Sequence, residues 1–256
     1  IPLIVDNTAA PVLCRPFDHG AAITTYSTTK YIGGHGTTIG GLIVDGGNFD
    51  WGKAGADRQP AMNTPDPCYG GVVWDEQVTK NMGLPFAYLL KLRTTLLRDL
   101  GGAMSPFNAW MFIQGLETLP LRMREHTKNA QAVAEALAAN EKVQSVTYPG
   151  LFEGAEREKA DKYMTGGYGA LIGFELPGGK EAGSKFIDSL ELLYHVANIG
   201  DSRSLAIHPA TTTHSQLAPE EQLSAGVTPG YVRLSIGIEN VEDIIADIAQ
   251  AIDKAS

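Results

Sequence analysis

A lysine set between small hydroxyl residues and glycines is the feature that most constrains this chain. Lys30 follows the run Ser27–Thr29 and precedes Gly33 and Gly34, in the stretch TTYSTTKYIGGHGTTIGGLIVDGG. Hydroxyl side chains and bare backbone can approach an anionic ligand closely. A lysine held among apolar neighbours loses part of its charge and becomes a usable nucleophile. Taken alone, the pattern also fits a surface turn.

Short apolar strands are predicted around this lysine. Leu3–Val5 is a continuous apolar run typical of a parallel strand covered on both faces, and Asp6 follows at its carboxyl end. Ala21–Tyr26 and Thr38–Val44 are predicted as further strands. Ligands of open α/β sheets bind at the carboxyl ends of strands, so Asp6 is a candidate site residue. It also fits the opening of a turn with Asn7.

The segments IPLIVDNT and STTKYIGGHG resemble, in order and spacing, the cofactor-binding core of the Cys/Met metabolism pyridoxal phosphate enzymes. That family includes cystathionine gamma-synthase, the cystathionine lyases, methionine gamma-lyase and O-acetylhomoserine sulfhydrylase. The resemblance runs from Ile1 to about Ala251. It implies an α/β chain of fold type I (aspartate aminotransferase-like), with part of the large mixed-sheet domain in 1–120 and a small α+β domain in 121–256. It also implies pyridoxal 5′-phosphate as the cofactor.

The resemblance assigns cofactor roles to individual residues. It makes Lys30 the amine that forms a Schiff base with the cofactor and then moves protons on the substrate. Asp6 would hold the pyridine nitrogen protonated, and the hydroxyls of Ser27 and Thr29 would bind the phosphate. Thr28, between them, is expected to face away.

Two residues are expected to bind the substrate's α-carboxylate. Arg233 lies in VRLSIGIE, within the predicted strand Tyr231–Ile238, and a guanidinium binds carboxylate bidentately. The family places its carboxylate-binding arginine in this context; without the resemblance, a surface position is the alternative. Asn198 stands where the lyases carry a serine, which favours the sulfhydrylase branch. No metal is expected, and nearby histidines are predicted to be structural: His35, His208 and His214.

The stretch 46–71 is rich in glycine, proline and asparagine and is predicted to be a long loop. It resembles an insertion of the O-acetylhomoserine sulfhydrylase branch. Two aromatic residues in this stretch, Trp51 and Tyr69, and Trp74 just after it, would line a pocket or be buried at an interface.

Helices are predicted where apolar residues recur with helical spacing. One covers 86–100, another starts at Pro106 with Ser105 as its cap, and the last is capped by Asn240. A proline inside a helical run kinks or breaks it, so Pro120 is expected to mark the change of domain.

Composition excludes several classes of protein. With 256 residues, 43% hydrophobic and 19% charged, the chain is typical of a globular protein. A net charge of −9 argues against a nucleic-acid partner, and no apolar run approaches the roughly 18 residues of a membrane span. Cys14 and Cys68, without a signal-peptide pattern, predict free thiols and a cytoplasmic location.

The chain starts without methionine, directly in a predicted strand. Family members carry a long segment before this position, so we expect the C-terminal part of a larger polypeptide. A missing N-terminal portion or a companion chain would then complete the site. The family also implies a homotetramer built as a dimer of dimers.

The function implied by the resemblance is γ-replacement. O-acetyl-L-homoserine would lose acetate and gain sulfide or a thiol, giving homocysteine or methionine in methionine biosynthesis. Methionine gamma-lyase or cystathionine gamma-synthase or lyase activity is an alternative that uses the same residues. An inactive fragment acting as a structural partner is another. A nucleotide-binding loop is a weaker alternative, because GGHGTTIGG fits neither G-x-G-x-x-G nor G-x-x-x-x-G-K-[ST].

Overall fold

The computed structural model describes residues 1–53 and 55–256 and groups them into two compact units. Each unit is assembled from three separate stretches of the chain. The first unit contains Ile1–Asn7, Pro16–Tyr26 and Gly40–Ala109, and the second contains Thr8–Arg15, Ser27–Ile39 and Trp110–Ser256. The division into 1–120 and 121–256 expected from the resemblance stays a prediction.

Three short strands form the sheet near the start of the chain. They are adjacent in the order β1, β2, β3, with bounds Ile4–Asp6, Ile23–Ser27 and Gly41–Asp45. β1 and β2 are parallel, and Asp6 lies opposite Thr25. The three predicted strands are therefore confirmed. The expected burial of β1 on both faces is wrong for this chain, because the side chains of Leu3 and Ile4 are about half exposed.

The predicted loop over 46–71 is partly wrong, because short helices interrupt it. Pro60 and Pro67 start two of them with a backbone angle already suited to a helix, and the Asp66 carboxylate caps the second by accepting from the Cys68 N–H at 2.9 Å. The helical segments up to residue 100 include a 3₁₀ turn before β2 and two π-helical stretches. They are the 3₁₀ turns Pro16–His19 and Pro67–Tyr69, α1 (Gly55–Arg58), α2 (Pro60–Asn63), the π-helices Asp75–Asn81 and Leu92–Leu97, α3 (Ala87–Lys91) and α4 (Arg98–Leu100).

The tryptophans of this region pack inside the first unit. Trp51 stacks on Tyr88 with ring centroids 5.1 Å apart and planes 9° apart. Trp74 is almost fully buried, and its indole N–H donates to Asp66 at 2.8 Å. Tyr69 packs against Trp74 at 5.1 Å. The two tryptophans therefore lie in the core of their own unit, where the sequence had indicated a pocket or an interface, and Tyr69 remains exposed.

The second unit is built on a five-stranded sheet in the order β4-β5-β8-β7-β6. β6 and β7 are parallel, and the other neighbouring pairs are antiparallel. Its elements, in chain order, are α5 (Pro106–Ala138, whose first turn belongs to the first unit), β4 (Ser145–Thr147), a 3₁₀ turn (Pro149–Leu151), α6 (Gly154–Tyr163), β5 (Leu171–Glu175), α7 (Gly179–Ser189), β6 (Tyr194–His195), β7 (Leu205–Ile207), a 3₁₀ turn (Pro209–Thr211), α8 (Pro219–Ser224), β8 (Tyr231–Ser235) and α9 (Val241–Ala255).

The long helix α5 starts at Pro106 as predicted but does not end at Pro120. A proline removes one helical hydrogen bond and leaves the carbonyl four residues earlier without that donor. Here Pro120 and Leu116 lie on the exposed face, so this carbonyl can be solvated. Leu119 and Met123 on the opposite face are buried and hold the helix in place. The predicted break at Pro120 is therefore wrong.

The last helix follows its sequence pattern closely. Asn240 caps α9 by accepting from the Glu242 N–H at 2.8 Å, as predicted. Ile244, Ile248 and Ile252 form its buried stripe. Within the described residues, none of the helices combines the length and apolar composition that crossing a membrane requires.

Candidate functional site

The chain leaves β2 in a tight turn that contains Lys30. The Lys30 N–H donates to the Ser27 carbonyl at 3.1 Å, and the Gly33 N–H donates to the Thr28 carbonyl at 2.8 Å. Gly34 adopts a positive φ of 71°, which favours glycine. We call residues 30–34 the lysine turn. Thr28 is buried, whereas Ser27 and Lys30 are partly exposed, so the turn presents its reactive side chains outward.

The Lys30 amine contacts Asn198, a residue far away in the sequence. Nζ of Lys30 donates to Oδ1 of Asn198. Burial lowers the pKa of Lys30, and the nearby positive charge of Arg233 lowers it further. The neutral amine, which is the nucleophilic form, is therefore more available than in an ordinary surface lysine.

Arg233 in β8 approaches the same asparagine from the sheet. Its Nη2 donates to the Asn198 backbone carbonyl at 3.2 Å. Its Nε is buried and has no hydrogen-bond partner among the described residues. Burial also lowers the pKa of this guanidinium. A buried donor without a hydrogen-bond partner is costly, so the guanidinium of Arg233 is suited to bind a carboxylate of a ligand.

A glycine two residues after Asn198 allows this close approach. Gly200 has a φ of 72°, and its N–H donates to Oγ of Ser235 at 3.0 Å. A Cβ at this position would lie 2.6 Å from the Tyr31 nitrogen. The segment around Asn198 therefore packs directly on the lysine turn. Lys30, Asn198 and Arg233 are the predicted site residues that the second unit brings together.

The remaining predicted cofactor residues are placed by β1 and β2. Asp6 ends β1 in the first unit, opposite Thr25. Ser27 ends β2, and Thr29 is half-buried one residue before Lys30.

The histidines have structural surroundings. The ring of His35 is exposed and donates to the Gly33 carbonyl at 2.7 Å. His208 is fully buried, with its ring nitrogens 2.9 Å from Oγ1 of Thr211 and 2.8 Å from the Pro229 carbonyl. His214 contacts Oγ1 of Thr213 at 2.9 Å.

Sequence reasoning missed two residues of α5 that contact the lysine turn. Arg122 donates to backbone carbonyls of the turn, and His126 lies edge-on to the Tyr31 ring at 5.3 Å. Both are buried, and they are spaced by four residues, on the face that also carries Leu119 and Met123. Charged or polar side chains at that spacing on an apolar helix face were the available signal.

These residues fit a carbonyl cofactor with a phosphate group and a substrate with a carboxylate. The amine with a lowered pKa suits attachment to an aldehyde, and hydroxyls beside it suit phosphate oxygens. The unfilled Nε of Arg233 suits the substrate's carboxylate. The donor set of the second unit is therefore compatible with pyridoxal phosphate.

The chain belongs to the family described as Cys/Met metabolism PLP-dependent enzymes, whose match covers residues 1–253. Pyridoxal phosphate, abbreviated PLP, is the cofactor of that family. The family expected from the lysine stretch is confirmed, and with it the expected cofactor class and the α/β fold of type I.

Named relatives define the branch more closely. The chain is 51% identical to an O-acetyl-L-homoserine sulfhydrylase of Leptospira meyeri, over 98% of this chain and 58% of that protein. It is 49% identical to a homocysteine synthase of Schizosaccharomyces pombe, over 100% of this chain and 58% of the relative. The chain thus spans about 58% of the length of these relatives. The expected similarity to the sulfhydrylase branch is confirmed.

A solved structure has the same fold over this stretch. A Campylobacter jejuni structure described as an O-acetylhomoserine (thiol)-lyase superimposes with a TM-score of 0.89 at 40% identity. The match covers 99% of this chain and 59% of that one. That protein carries an N′-pyridoxyl-lysine-5′-monophosphate.

Proposed function

We propose that this chain carries the reactive lysine and the carboxylate-binding arginine of an enzyme that performs γ-replacement on O-acetyl-L-homoserine. The observation that carries the proposal is the contact of Asn198 with both Lys30 and Arg233. Asn198 thereby links the reactive amine of Lys30 to the guanidinium of Arg233, which would orient the amino-acid substrate. The names of the Leptospira meyeri and Schizosaccharomyces pombe relatives support the substrate class.

The cofactor would be held by residues at the ends of β1 and β2. In this proposal Lys30 attaches the cofactor, the hydroxyls of Ser27 and Thr29 bind its phosphate, and Asp6 pairs with its ring nitrogen. Pyridoxal phosphate, when bound, supplies the electron sink that stabilises negative charge at the substrate's α- and β-carbons. The protein's contribution is orientation, charge and proton transfer.

Arg233 would fix the amino acid before any bond changes. Its unfilled Nε and the adjacent guanidinium nitrogens bind the α-carboxylate, and Asn198 can donate its amide N–H₂ to the same group because its Oδ1 already faces Lys30. The carboxylate then sits beside the amine of Lys30. This arrangement defines which hydrogen of the α-carbon faces the base.

Lys30 would move protons between the α- and β-carbons of the substrate. Its lowered pKa keeps a neutral fraction that accepts a proton, and Asn198 Oδ1 orients the amine in either protonation state. Removal of these protons allows the γ-acetoxy group to leave as acetate. Sulfide or a thiol then adds at the γ-carbon, and Lys30 returns the protons, so O-acetylhomoserine and sulfide give homocysteine and acetate.

The direct test is chemical trapping at Lys30. The chain is incubated with pyridoxal phosphate and reduced with borohydride, and the modified peptide is identified by mass spectrometry. We expect the cofactor mass on Lys30, and its loss in Lys30→Ala together with the visible absorbance of the bound cofactor. An intact absorbance band and normal turnover in Lys30→Ala would refute the assignment. Lys53→Ala, at an exposed lysine, is the control.

The γ-lyase and cystathionine synthase alternatives would use the same site residues as the proposed reaction and differ from it in substrate and product. Incubation with O-acetylhomoserine plus sulfide should give homocysteine and acetate. Methionine alone, or O-succinylhomoserine plus cysteine, should give little product. Release of 2-oxobutyrate from methionine would instead favour a γ-lyase.

The proposal extends to the assembly. We infer that a preceding segment or a companion chain completes the site, that the whole protein is a homotetramer built as a dimer of dimers, and that it works in the cytoplasm. Light scattering of the complete protein tests the oligomeric state. If the chain stays colourless after addition of pyridoxal phosphate, a role as an inactive structural partner becomes the better explanation.

A further inference from the structure

The backbone carbonyls of the lysine turn all accept hydrogen bonds, most of them from groups outside the turn. The Lys30 carbonyl accepts from the Gly34 N–H at 2.7 Å, and the Gly33 carbonyl accepts from His35. The Gly34 carbonyl accepts from both the N–H and the hydroxyl of Ser202, each at 2.8 Å. The two carbonyls that directly follow Lys30 remain, and one residue of α5 binds both.

That residue is Arg122. Its Nη1 donates to the Tyr31 carbonyl at 2.6 Å, and its Nη2 donates to the Ile32 carbonyl at 3.1 Å and to the Gly115 carbonyl at 2.7 Å. Its Nε contacts Oγ1 of Thr118 at 3.2 Å. The planar guanidinium therefore joins two consecutive peptide units of the turn to one turn of the helix.

Arg122 is buried without a counterion. Its exposed fraction is 6%, and no carboxylate of the described residues forms an ion pair with it. Burial lowers its pKa. A buried guanidinium neutralised by carbonyl dipoles alone is expensive compared with an apolar side chain of similar size. The position therefore calls for an explanation other than packing.

The surrounding glycines leave room for this contact. A Cβ on Gly34 would overlap Nη1 of Arg122, and a Cβ on Gly115 would overlap the Ile32 carbonyl. A Cβ on Gly33 would lie 3.2 Å from the Phe112 ring. Helix and turn thus touch backbone to backbone, and the guanidinium fills the space between them.

We infer that Arg122 is a positioning residue for Lys30. Its fork fixes the peptide units after Lys30, so that the amine returns to the same place beside Asn198 each time the side chain moves. The inference rests on the proposed function. Lysine cannot replace it, because an ammonium group is a point charge that lacks the rigid planar fork.

The test uses Arg122→Lys, which keeps the charge, and Arg124→Gln, an exposed arginine on the same helix, as control. The rate of trapping of Lys30 by pyridoxal phosphate and borohydride is measured against pH, together with hydrogen exchange at the Gly33 and Gly34 amides. We expect Arg122→Lys to slow trapping about tenfold, because a misplaced reacting group loses orientation. Exchange at the two amides should rise, and the control should match the wild type.

Thr118→Val gives a milder perturbation if Arg122→Lys does not fold, since it removes the partner of Nε and, besides that, only a long 3.5 Å hydrogen bond from Oγ1 to the Gly115 carbonyl. An unchanged trapping rate in a folded Arg122→Lys protein would overturn the inference and leave Arg122 a stabilising residue. Failure to trap the wild type would refute the proposed function separately. Even then, unchanged exchange at Gly33 and Gly34 in Arg122→Lys would overturn the positioning role.

Discussion

Two effects of different range lower the pKa of Lys30. Burial has the larger effect, because the amine loses contact with water at the turn. The positive charge of Arg233 lowers the pKa further. The contact with Oδ1 of Asn198 satisfies the ammonium without supplying a negative charge. A carboxylate at position 198 would restore an ordinary ammonium. The amide therefore keeps the amine oriented and still partly neutral.

Arg233→Gln should raise the pKa of Lys30, because it removes the nearby positive charge. The neutral amine is the reactive form, so the rate of acylation of Lys30 by an amine-selective reagent at neutral pH should fall roughly threefold. The pH profile of acylation, followed by peptide mass spectrometry, should move to higher pH. Arg124→Gln, on the exposed face of α5, should leave the profile in place. An unchanged profile would show that burial alone lowers the pKa of Lys30.

Single residues of the candidate site were predictable where a local motif carries them. Lys30 and Arg233 each stand in a short stretch whose residue types suit one chemistry. The contact between Lys30 and Asn198 joins residues 168 positions apart, and no local pattern encodes that distance. Arg122 was missed because an arginine in a helix is normally solvent-exposed.

At the scale of elements, α5 buries both polar and apolar side chains on one face. Two of its buried polar side chains, His126 and Asn129, bond to the carbonyls of Ile236 and Gly237 just after β8, and at Gly115 the helix backbone touches the lysine turn. The helical pattern was predictable, and so was its start at Pro106. Its continuation past Pro120 was not, because local propensity does not show which carbonyls can reach solvent.

Gly115→Ala tests this contact. Alanine normally stabilises a helix by up to about 1 kcal/mol relative to glycine. Here its Cβ would overlap the Ile32 carbonyl, and a backbone atom cannot rotate away. We therefore expect a net loss of about 2 kcal/mol in the free energy of unfolding, measured by urea titration. Gly102→Ala, where a Cβ meets no atom within 4 Å, should be near neutral. A stabilised Gly115→Ala protein would refute the close contact.

At the scale of the whole molecule, the chain passes between the two units several times before Trp110. A reading along the sequence finds strands and helices in order, and these were largely correct. It cannot show that Thr8–Arg15 and Ser27–Ile39 belong with the distant C-terminal stretch. Such long-range grouping depends on contacts that hydrophobic periodicity does not record. The exposure of the Leu3 and Ile4 side chains was not predicted for the same reason.

Global stability should depend on pH through His126. Burial lowers its pKa to about 4 from an ordinary value of 6.5, while its Nδ1–H donates to the Ile236 carbonyl at 2.7 Å. Between these two values the unfolded chain binds a proton that the folded chain does not. The free energy of unfolding should therefore fall as pH drops from 6.5 to 4, by up to about 3 kcal/mol.

The matched variant is His126→Gln, whose amide can donate to the same carbonyl and stays neutral at every pH. Urea unfolding of both proteins between neutral pH and pH 4 isolates the histidine, because other acidic groups titrate equally in the two. Asp247 is such a group: burial alone would raise its pKa, but the N–H groups of Leu193, Glu191 and Leu192 lower it overall, so its contribution is also lost in acid. We expect the difference between the two proteins to narrow or reverse as pH falls. A difference that is independent of pH would mean that His126 is protonated in the folded state or accessible to water.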